Sequence, residues 1–327
     1  MNKLDLIAIG DTSRDVFNVV PDETAYCSID TKECVVAFSY GDKIMVEELV
    51  TTIGGNSANV AVGTRRLGLN SALYTQIGDD QIGEAILSEL KKEQLVMDYI
   101  LVDKNKRSNY ATAISFQGER TLFIYHEPRD YRLPDLMPAS WVYLSSTGIG
   151  FERMHVEVLE YVRRVGAKLA YNPGSYQMKA GMSVMGPVIL KSEILFLNRE
   201  ETVRVLGDGF DLTDDVKKLM GGVLNLGVKI AVLTDGPSGS YATDGKNYWF
   251  CGIFDAPIVD RTGCGDAYST GFTTAIAKGL DIPTAMVWGT MESAGVIAVM
   301  GPQGGLLTAQ EMEIVMGQNP DFRAKLI

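Results

Sequence analysis

Short apolar runs recur along the chain, each bounded by turn residues or charge. Residues 4–10, 72–77, 141–145, 168–171, 194–197 and 229–233 have the length and continuity of strands buried on both faces. Helical spacing fills the gaps between them. In 80–93, Ile82, Ile86, Leu87 and Leu90 share one face, while Glu84, Glu89, Lys91 and Lys92 take the other. The stretch 214–226 follows the same pattern. Strand–helix–strand alternation predicts a mostly parallel sheet with helices on both faces.

Two regions break this rhythm. Residues from about 16 to 50 contain the β-prone pieces 35–39 and 43–46 and little helical period. Residues 111–126 read as a hairpin turning at Gln117-Gly118-Glu119-Arg120, and a second hairpin is predicted around Asp244-Gly245-Lys246-Asn247. The first two regions together predict a small antiparallel sheet that projects from the main domain and covers a cleft. The predicted domains are thus 1–15, 51–106 and 127–327 for the large α/β part, with about 16–50 and 107–126 as a β-lid. No internal repeat or low-complexity linker interrupts them.

Composition narrows the function. A length of 327 residues allows one large α/β domain or two smaller ones, and 46% hydrophobic residues are enough for a packed core. No run approaches the roughly 18 apolar residues that span a bilayer. The first ten residues make a poor signal peptide, because Asp5 interrupts their apolar run; they read as a strand, and the chain as cytoplasmic. Thirty basic against 41 acidic residues give a net charge of −11, which argues against nucleic acid as a partner. The two histidines, His126 and His155, leave little room for His-centred catalysis. Cys27, Cys34, Cys251 and Cys264 form no Cys-x-x-Cys and read as reduced thiols. Glycine is enriched at 34 residues, and its placement carries the chemistry.

The strongest segment is Asp260-Arg261-Thr262-Gly263-Cys264-Gly265-Asp266, which leads into a helical pattern. Gly263 and Gly265 let the backbone turn tightly where the helix begins, so the amides of this turn and the helix dipole make an anion site. Asp266 adds a carboxylate in the first turn. Anion cradle and base in one place suit phosphoryl transfer, though an ordinary glycine loop ahead of a helix would look the same. Gly54-Gly55-Asn56-Ser57-Ala58-Asn59 opens a second helix, with Gly68 as its stop. Asn56 and Asn59, three apart, can face one ligand and sort neutral hydroxyls, or can simply cap the helix. Asn198-Arg199-Glu200-Glu201 and Thr234-Asp235-Gly236-Pro237-Ser238-Gly239 each follow a strand, where open α/β sheets bind ligands. Glu201 could hold a hydrated Mg²⁺ or merely open a solvated helix.

Competing motifs are missing. No Gly-x-Gly-x-x-Gly follows the first strand, which gives Gly10-Asp11-Thr12-Ser13 instead. Gly239 to Gly245-Lys246-Asn247 misses a P-loop by one residue of spacing and by Asn in place of Ser or Thr. His126-Glu127-Pro128-Arg129-Asp130 is not a zinc-protease motif.

In this order the segments resemble the ribokinase-like (PfkB) carbohydrate kinase family, from Ile9-Gly10-Asp11 to about Gly305. The resemblance implies a ribokinase-like three-layer α/β/α domain with a mostly parallel central sheet and a small antiparallel β-sheet lid. It implies transfer of the γ-phosphoryl of ATP, with Mg²⁺, to a hydroxyl of a sugar or sugar acid, as in ribokinase, fructokinase or 2-keto-3-deoxygluconate kinase. By the same resemblance Asp266 is the general base, and Gly263, Cys264 and Gly265 form the anion hole. Asp15, Gly55, Asn56 and Asn59 match acceptor-binding positions. Asn198 and Glu201 match the Mg²⁺ and phosphate motif, and Thr234, Gly236 and Gly239 the nucleotide loop. Asp260 and Thr262 match a monovalent-cation site for K⁺, with Gly301 and Gly305 near its other half. Pairing through the lid implies a homodimer.

Departures matter too. Arg261 replaces a small residue and places charge beside the cation loop, which counts against potassium dependence. Cys264 replaces Ala or Gly, and a thiol at a helix N-terminus is expected to be acidified and reactive. A nucleoside kinase of the same family is the alternative, with Phe116, Phe123 and Tyr125 as candidates for a base pocket, or simply core positions of a strand. Arg107, Arg120 and Arg129 could instead meet a carboxylate, or lie solvated on the surface. A non-catalytic sugar sensor on this fold is disfavoured by the retained Asp266 and its glycines.

Overall fold

A computed structural model of the chain describes residues 3–21, 26–28, 35–116 and 119–327. Its backbone is one ten-stranded sheet. In spatial order the strands are Lys325–Leu326, Tyr248–Cys251, Ser240–Thr243, Ile230–Thr234, Ile194–Asn198, Lys168–Tyr171, Ala139–Leu144, Leu4–Ile9, Ser71–Gly78 and Ile100–Asp103. From Ile230–Thr234 to Ile100–Asp103 every pairing is parallel; the three strands at the other end are antiparallel. All six predicted buried strands are present.

Alternation within each strand feeds two cores. Trp141 and Tyr143 pack on one face of the sheet with side chains of the helices Asn56–Arg66, Cys264–Ala277 and Ile282–Ile297. Val142 and Leu144 pack on the other with Glu152–Val165, Met182–Lys191 and Val216–Asn225. A period of two along the strands thus produces three layers, α/β/α. The predicted helices 80–93 and 214–226 form as Gln81–Lys92 and Val216–Asn225, each started by an aspartate side chain: Asp80 accepts from Gly83 N and Asp215 from Lys217 N. Among the described residues, no helix is long and apolar enough to cross a membrane.

A separate four-stranded sheet, in the order Glu48–Gly54, Ser13–Val19, Asn109–Phe116, Glu119–Tyr125, stands over the carboxyl ends of the main strands. Its limits, 13 and 54, lie outside the 16–50 segment marked by β-proneness, because the register Ser13↔Gly54 carries pairing down to the main sheet. Its outer pairs are antiparallel and its central pair, Ser13–Val19 with Asn109–Phe116, is parallel. Both central strands rise from the same edge of the main sheet and so run the same way.

Two local expectations change. Residues 43–46 form no strand: the sheet's pairing stops at Val19↔Glu48, so this piece lies past the end of its partner strand. Glu119 and Arg120 are strand, not turn, since Glu119 pairs with Phe116; Gln117 and Gly118 lie outside the described residues. The second hairpin forms between Ser240–Thr243 and Tyr248–Cys251, where Asp244 Oδ1 accepts from the amides of Lys246 and Asn247. Cys251 and Cys264 are free thiols, and Cys34 lies outside the described residues.

The Cys264–Ala277 helix lies against Ile282–Ile297 through glycines. A Cβ on Gly271 would sit 2.5 Å from the Trp288 carbonyl oxygen. Ala normally gains about 1 kcal/mol over Gly inside a helix. Backbone cannot retreat as a side chain can, so overpacking, typically about 1–3 kcal/mol, decides the sign. Gly271→Ala should therefore lower stability by about 1–2 kcal/mol in chemical denaturation. An unchanged or raised midpoint would contradict this packing.

Candidate active site

Parallel strands all deliver their carboxyl ends to one edge, and this edge is polar. Asp11, Ser146, Asn172, Asn198 and Thr234, at or just past five strand ends, line one cavity of about 540 Å³. The four-stranded sheet covers it with Asp15, Ala111, Arg120, Leu122 and Ile124. The helix starts at Asn56 and Cys264 complete the wall, so Gly55, Asn56, Asn59, Gly263, Cys264, Gly265 and Asp266 all face the same space.

Gly263 is the N-cap of the Cys264–Ala277 helix, at φ 81°. A Cβ there would lie 2.4 Å from Pro302 Cβ, so both the turn and the close contact require glycine. Gly265 differs: a Cβ on it would meet nothing within 4 Å, which leaves bare backbone open to the cavity. Gly265 N and Asp266 N belong to the first turn, where no intrahelical acceptor exists; Cys264 N reaches the Arg261 carbonyl only at 3.5 Å. The start of the helix is thus a cradle of amides.

Asp266 is buried in the first turn of that helix. Asn59 Nδ2 donates to its Oδ2 at 2.7 Å. Burial is the main force on this carboxyl and pushes it up to about 6, opposed first by the Asn59 hydrogen bond. Glu201 and Asp15 add repulsion that raises it further, and Arg120 pulls the other way. Such a group is mostly ionised near neutral pH yet readily protonated, the balance a general base needs.

At the other helix start, Gly55 turns at φ 101° and a Cβ there would meet the Asp11 carbonyl oxygen at 2.4 Å. Asp15 accepts from Ser13 Oγ at 2.6 Å, and burial raises its pKa. Asn59, expected to read the acceptor, spends its amide differently: besides its bond to Asp266, its Oδ1 accepts from Gln303 Nε2 at 2.9 Å. Asp11 was not singled out from the sequence, although it stands directly after the first strand. It is buried, accepts from Tyr131 OH at 2.9 and 2.8 Å and from Gly148 N at 2.8 Å, and lies 3.4 Å from His126 Nδ1.

Thr234, Gly236 and Gly239 line a second cavity of about 360 Å³, joined to the first through Thr234, Arg261, Cys264 and Gly265. Its walls include Ile253, Phe254, Ile258, Tyr268 and Ile297. The 252–258 part of this wall is irregular backbone and carried no periodic signal in the sequence. Asn198 and Glu201 form a reciprocal cap: Asn198 Oδ1 accepts from Glu201 N at 2.7 Å, and Glu201 Oε2 accepts from Asn198 N at 2.9 Å. Burial raises the Glu201 pKa. Asp260 ties two loops together, accepting from Thr262 N at 3.0 Å, Thr262 Oγ1 at 2.8 Å and Gly301 N at 3.0 Å. Gly305 instead lies against Gly295 in the Ile282–Ile297 helix.

Other candidates separate. Arg120 lines the main cavity, and its buried Nε has no hydrogen-bond partner among the described residues. Arg129 is held away by Asp103 at 2.6 Å and by the Arg107 carbonyl at 2.6 Å, and Arg107 is exposed. Phe116 packs with Val20, and Phe123 and Tyr125 are exposed; from their strand, Glu119–Tyr125, the residues that line the cavity are Arg120, Leu122 and Ile124. Strand alternation explains this, because Phe123 and Tyr125 have the parity of the opposite face.

A family model, "pfkB family carbohydrate kinase", matches residues 17–309. A 5-dehydro-2-deoxygluconokinase of Geobacillus thermodenitrificans is 28% identical over 293 residues, covering 82% of this chain and 86% of that protein. Among solved structures, the Methanocaldococcus jannaschii nucleoside kinase, a member of the ribokinase family, aligns with TM-score 0.77 and 18% identity over 97% of this chain and 100% of that one. Arabidopsis thaliana ribokinase complexed with ribose and ATP aligns with TM-score 0.77 and 18% identity over 96% and 99%. These two likenesses establish the ribokinase-like fold.

The acidified thiol expected at Cys264 is not what the structure holds. Burial pushes the thiol up to about 11, while Arg120 and Arg261 favour the thiolate too weakly to offset it. At pH 7.5 the peptide carrying Cys264 should be carboxymethylated by iodoacetate roughly a hundredfold more slowly than a free thiol, from the thiolate fraction alone. Mass spectrometry of that peptide is the readout, and labelling as fast as a free thiol would contradict the burial argument.

Proposed function

The chain belongs to the pfkB family of carbohydrate kinases, and from that premise we propose that it moves the γ-phosphoryl group of ATP onto a hydroxyl of a sugar acid. That it is a phosphotransferase acting on a hydroxyl acceptor follows from the family; the roles below are our reading of the site. The observation that carries the reading is the place of Asp266, buried on the wall of the main cavity directly after Cys264 and Gly265, which line both cavities. An acceptor hydroxyl against Asp266 gives its proton to the carboxylate as the oxygen attacks phosphorus. The amides of Gly263, Cys264 and Gly265 face the charge that spreads over the transferred group. Thr234, Gly236 and Gly239 hold the nucleotide, whose base fits the apolar wall of Ile253, Phe254 and Ile258. Asp15, Gly55 and Asn56 hold the acceptor.

Asn198 and Glu201 fit a hydrated Mg²⁺: one Glu201 oxygen is tied to Asn198 N, and the residue lines the cavity. When bound, that ion neutralises phosphate charge. Asp260 and Thr262 fit K⁺ less well, since both Asp260 oxygens already accept hydrogen bonds and Arg261 stands beside them; no step is assigned to that ion.

The choice of a sugar acid rests on Arg120. A buried Nε without a partner is costly, and an anionic acceptor would supply one. Lys179 lines the same cavity. The relative named 5-dehydro-2-deoxygluconokinase points the same way. A nucleoside is less suited, because the lid meets the cavity with aliphatic Leu122 and Ile124.

Two experiments follow. Asp266→Asn should lose about 10²–10⁴ in kcat while binding ATP, and wild-type kcat/KM should fall as pH drops through about 6, because only the ionised carboxylate accepts a proton. Near-normal turnover in that variant would overturn the role. In a coupled assay across neutral sugars, sugar acids and nucleosides, sugar acids should turn over best. Arg120→Ala should raise their KM at least tenfold with little change for ATP; equal loss on neutral sugars would remove the acid from the proposal.

A further inference from the structure

Among the described residues, Asp266 has one hydrogen-bonding side chain against it, Asn59, and that side chain has a keeper. Asn59 offers an amide with two ends. The carboxylate selects the donor end, so the Asn59 carbonyl must turn away and needs a donor of its own. Gln303 Nε2 provides it at 2.9 Å, and Gln303 is buried, so water is a poor substitute. The backbone that carries Gln303 is itself pinned. Arg66 Nη1 donates to the Gln303 carbonyl at 2.8 Å and to Leu306 O at 3.2 Å, and Arg66 is clamped by Glu93 at 2.6 and 2.9 Å. Gly301 N donates to Asp260, and Leu307 N to Glu292 at 3.1 Å. Gly305 presses on Gly295 so closely that a Cβ would sit 2.0 Å from the Gly295 oxygen.

We infer that Gln303 is a positioning residue for the phosphoryl-transfer reaction: through Asn59 it fixes the orientation of Asp266 and keeps that carboxylate ionised. The inference rests on the reading of Asp266 as base. An amide that donates to a carboxylate stabilises its charged form, so losing the relay should make Asp266 easier to protonate. The other groups facing Asp266 remain in place: Glu201 and Asp15, which raise its pKa, Arg120, which lowers it, and the neutral Tyr143 phenol and Cys264 thiol.

The test is the pH profile of kcat/KM for Gln303→Leu and for Gln303→Met, an unbranched side chain of similar length; both remove the donor to the Asn59 carbonyl without adding charge. In both, the acid limb should move up by about half to one pH unit, a fraction of the worth of one hydrogen bond to a carboxylate, because the bond from Asn59 is loosened and not removed. The KM for ATP should hold within twofold. Acid limbs that coincide with wild type in the folded variants overturn the inference, as does a fall in activity by the same factor at every pH. Asp266→Asn, run alongside, separates the two ideas: if it retains turnover, the base assignment fails whatever Gln303 does. Should Gln303→Leu fail to fold, Gln303→Met alone decides.

Discussion

The site depends on one costly arrangement, a carboxylate held out of water in the first turn of a helix. Burial raises the proton affinity of Asp266, while exposure would leave it a weaker base with a mobile side chain. The structure sits between these limits. Desolvation and the negative charges of Glu201 and Asp15 raise the proton affinity, and the short bond from Asn59 and the charge of Arg120 hold it down. The result near 6 is set by neighbours from four separate stretches of chain, so the fold must bring all of them to one point.

That convergence explains where the glycines fall. Gly55 and Gly263 sit at positive φ with backbone or Pro302 pressed against their Cα hydrogens, while Gly265 stands open to the cavity. Gly271 and Gly289 let the Cys264–Ala277 and Ile282–Ile297 helices approach to backbone contact. The first group shapes the cradle. The second fixes the helix that carries it. Both hold the Asp266 carboxylate at one place on the cavity wall, as the proposed role of base requires.

How much of this could be read from residues alone depended on the range of the signal. Buried strands such as 168–171 and 194–197, and the helix 80–93, announce themselves by local period, and all are present. The glycine turns and Asp266 were legible because their chemistry is packed into seven consecutive residues. Asn59 lines the cavity, but its tie to Asp266 joins positions 207 apart in sequence, and Gln303 is 244 from Asn59. No periodicity encodes such contacts. Phe123 and Tyr125 were misplaced for a simpler reason: hairpin parity was known, but which parity faces the cleft is decided by how the lid sits on the main sheet. Cys264 misled because a helix end was weighed and burial could not be.

Charge shows the same difference of scale. A net charge of −11 suggests a protein that repels anions, and the cavity adds Asp11, Asp15, Glu201 and Asp266 to its own walls. Yet Arg120, Lys179 and Arg261 line that cavity too, beside amides that formal charge does not count. Coulomb interactions weaken with distance and are screened within about 10 Å by salt. What a phosphate or a carboxylate meets in this cleft is therefore the local set, and the far surface hardly enters. In that set Asp11 is satisfied by Tyr131 and Gly148, while the Nε of Arg120 has no partner among the described residues. Thr12 Oγ1 in the same cleft has no partner among the described residues either, but it is neutral, and the charge on Arg120 is the ground on which an anionic acceptor is proposed.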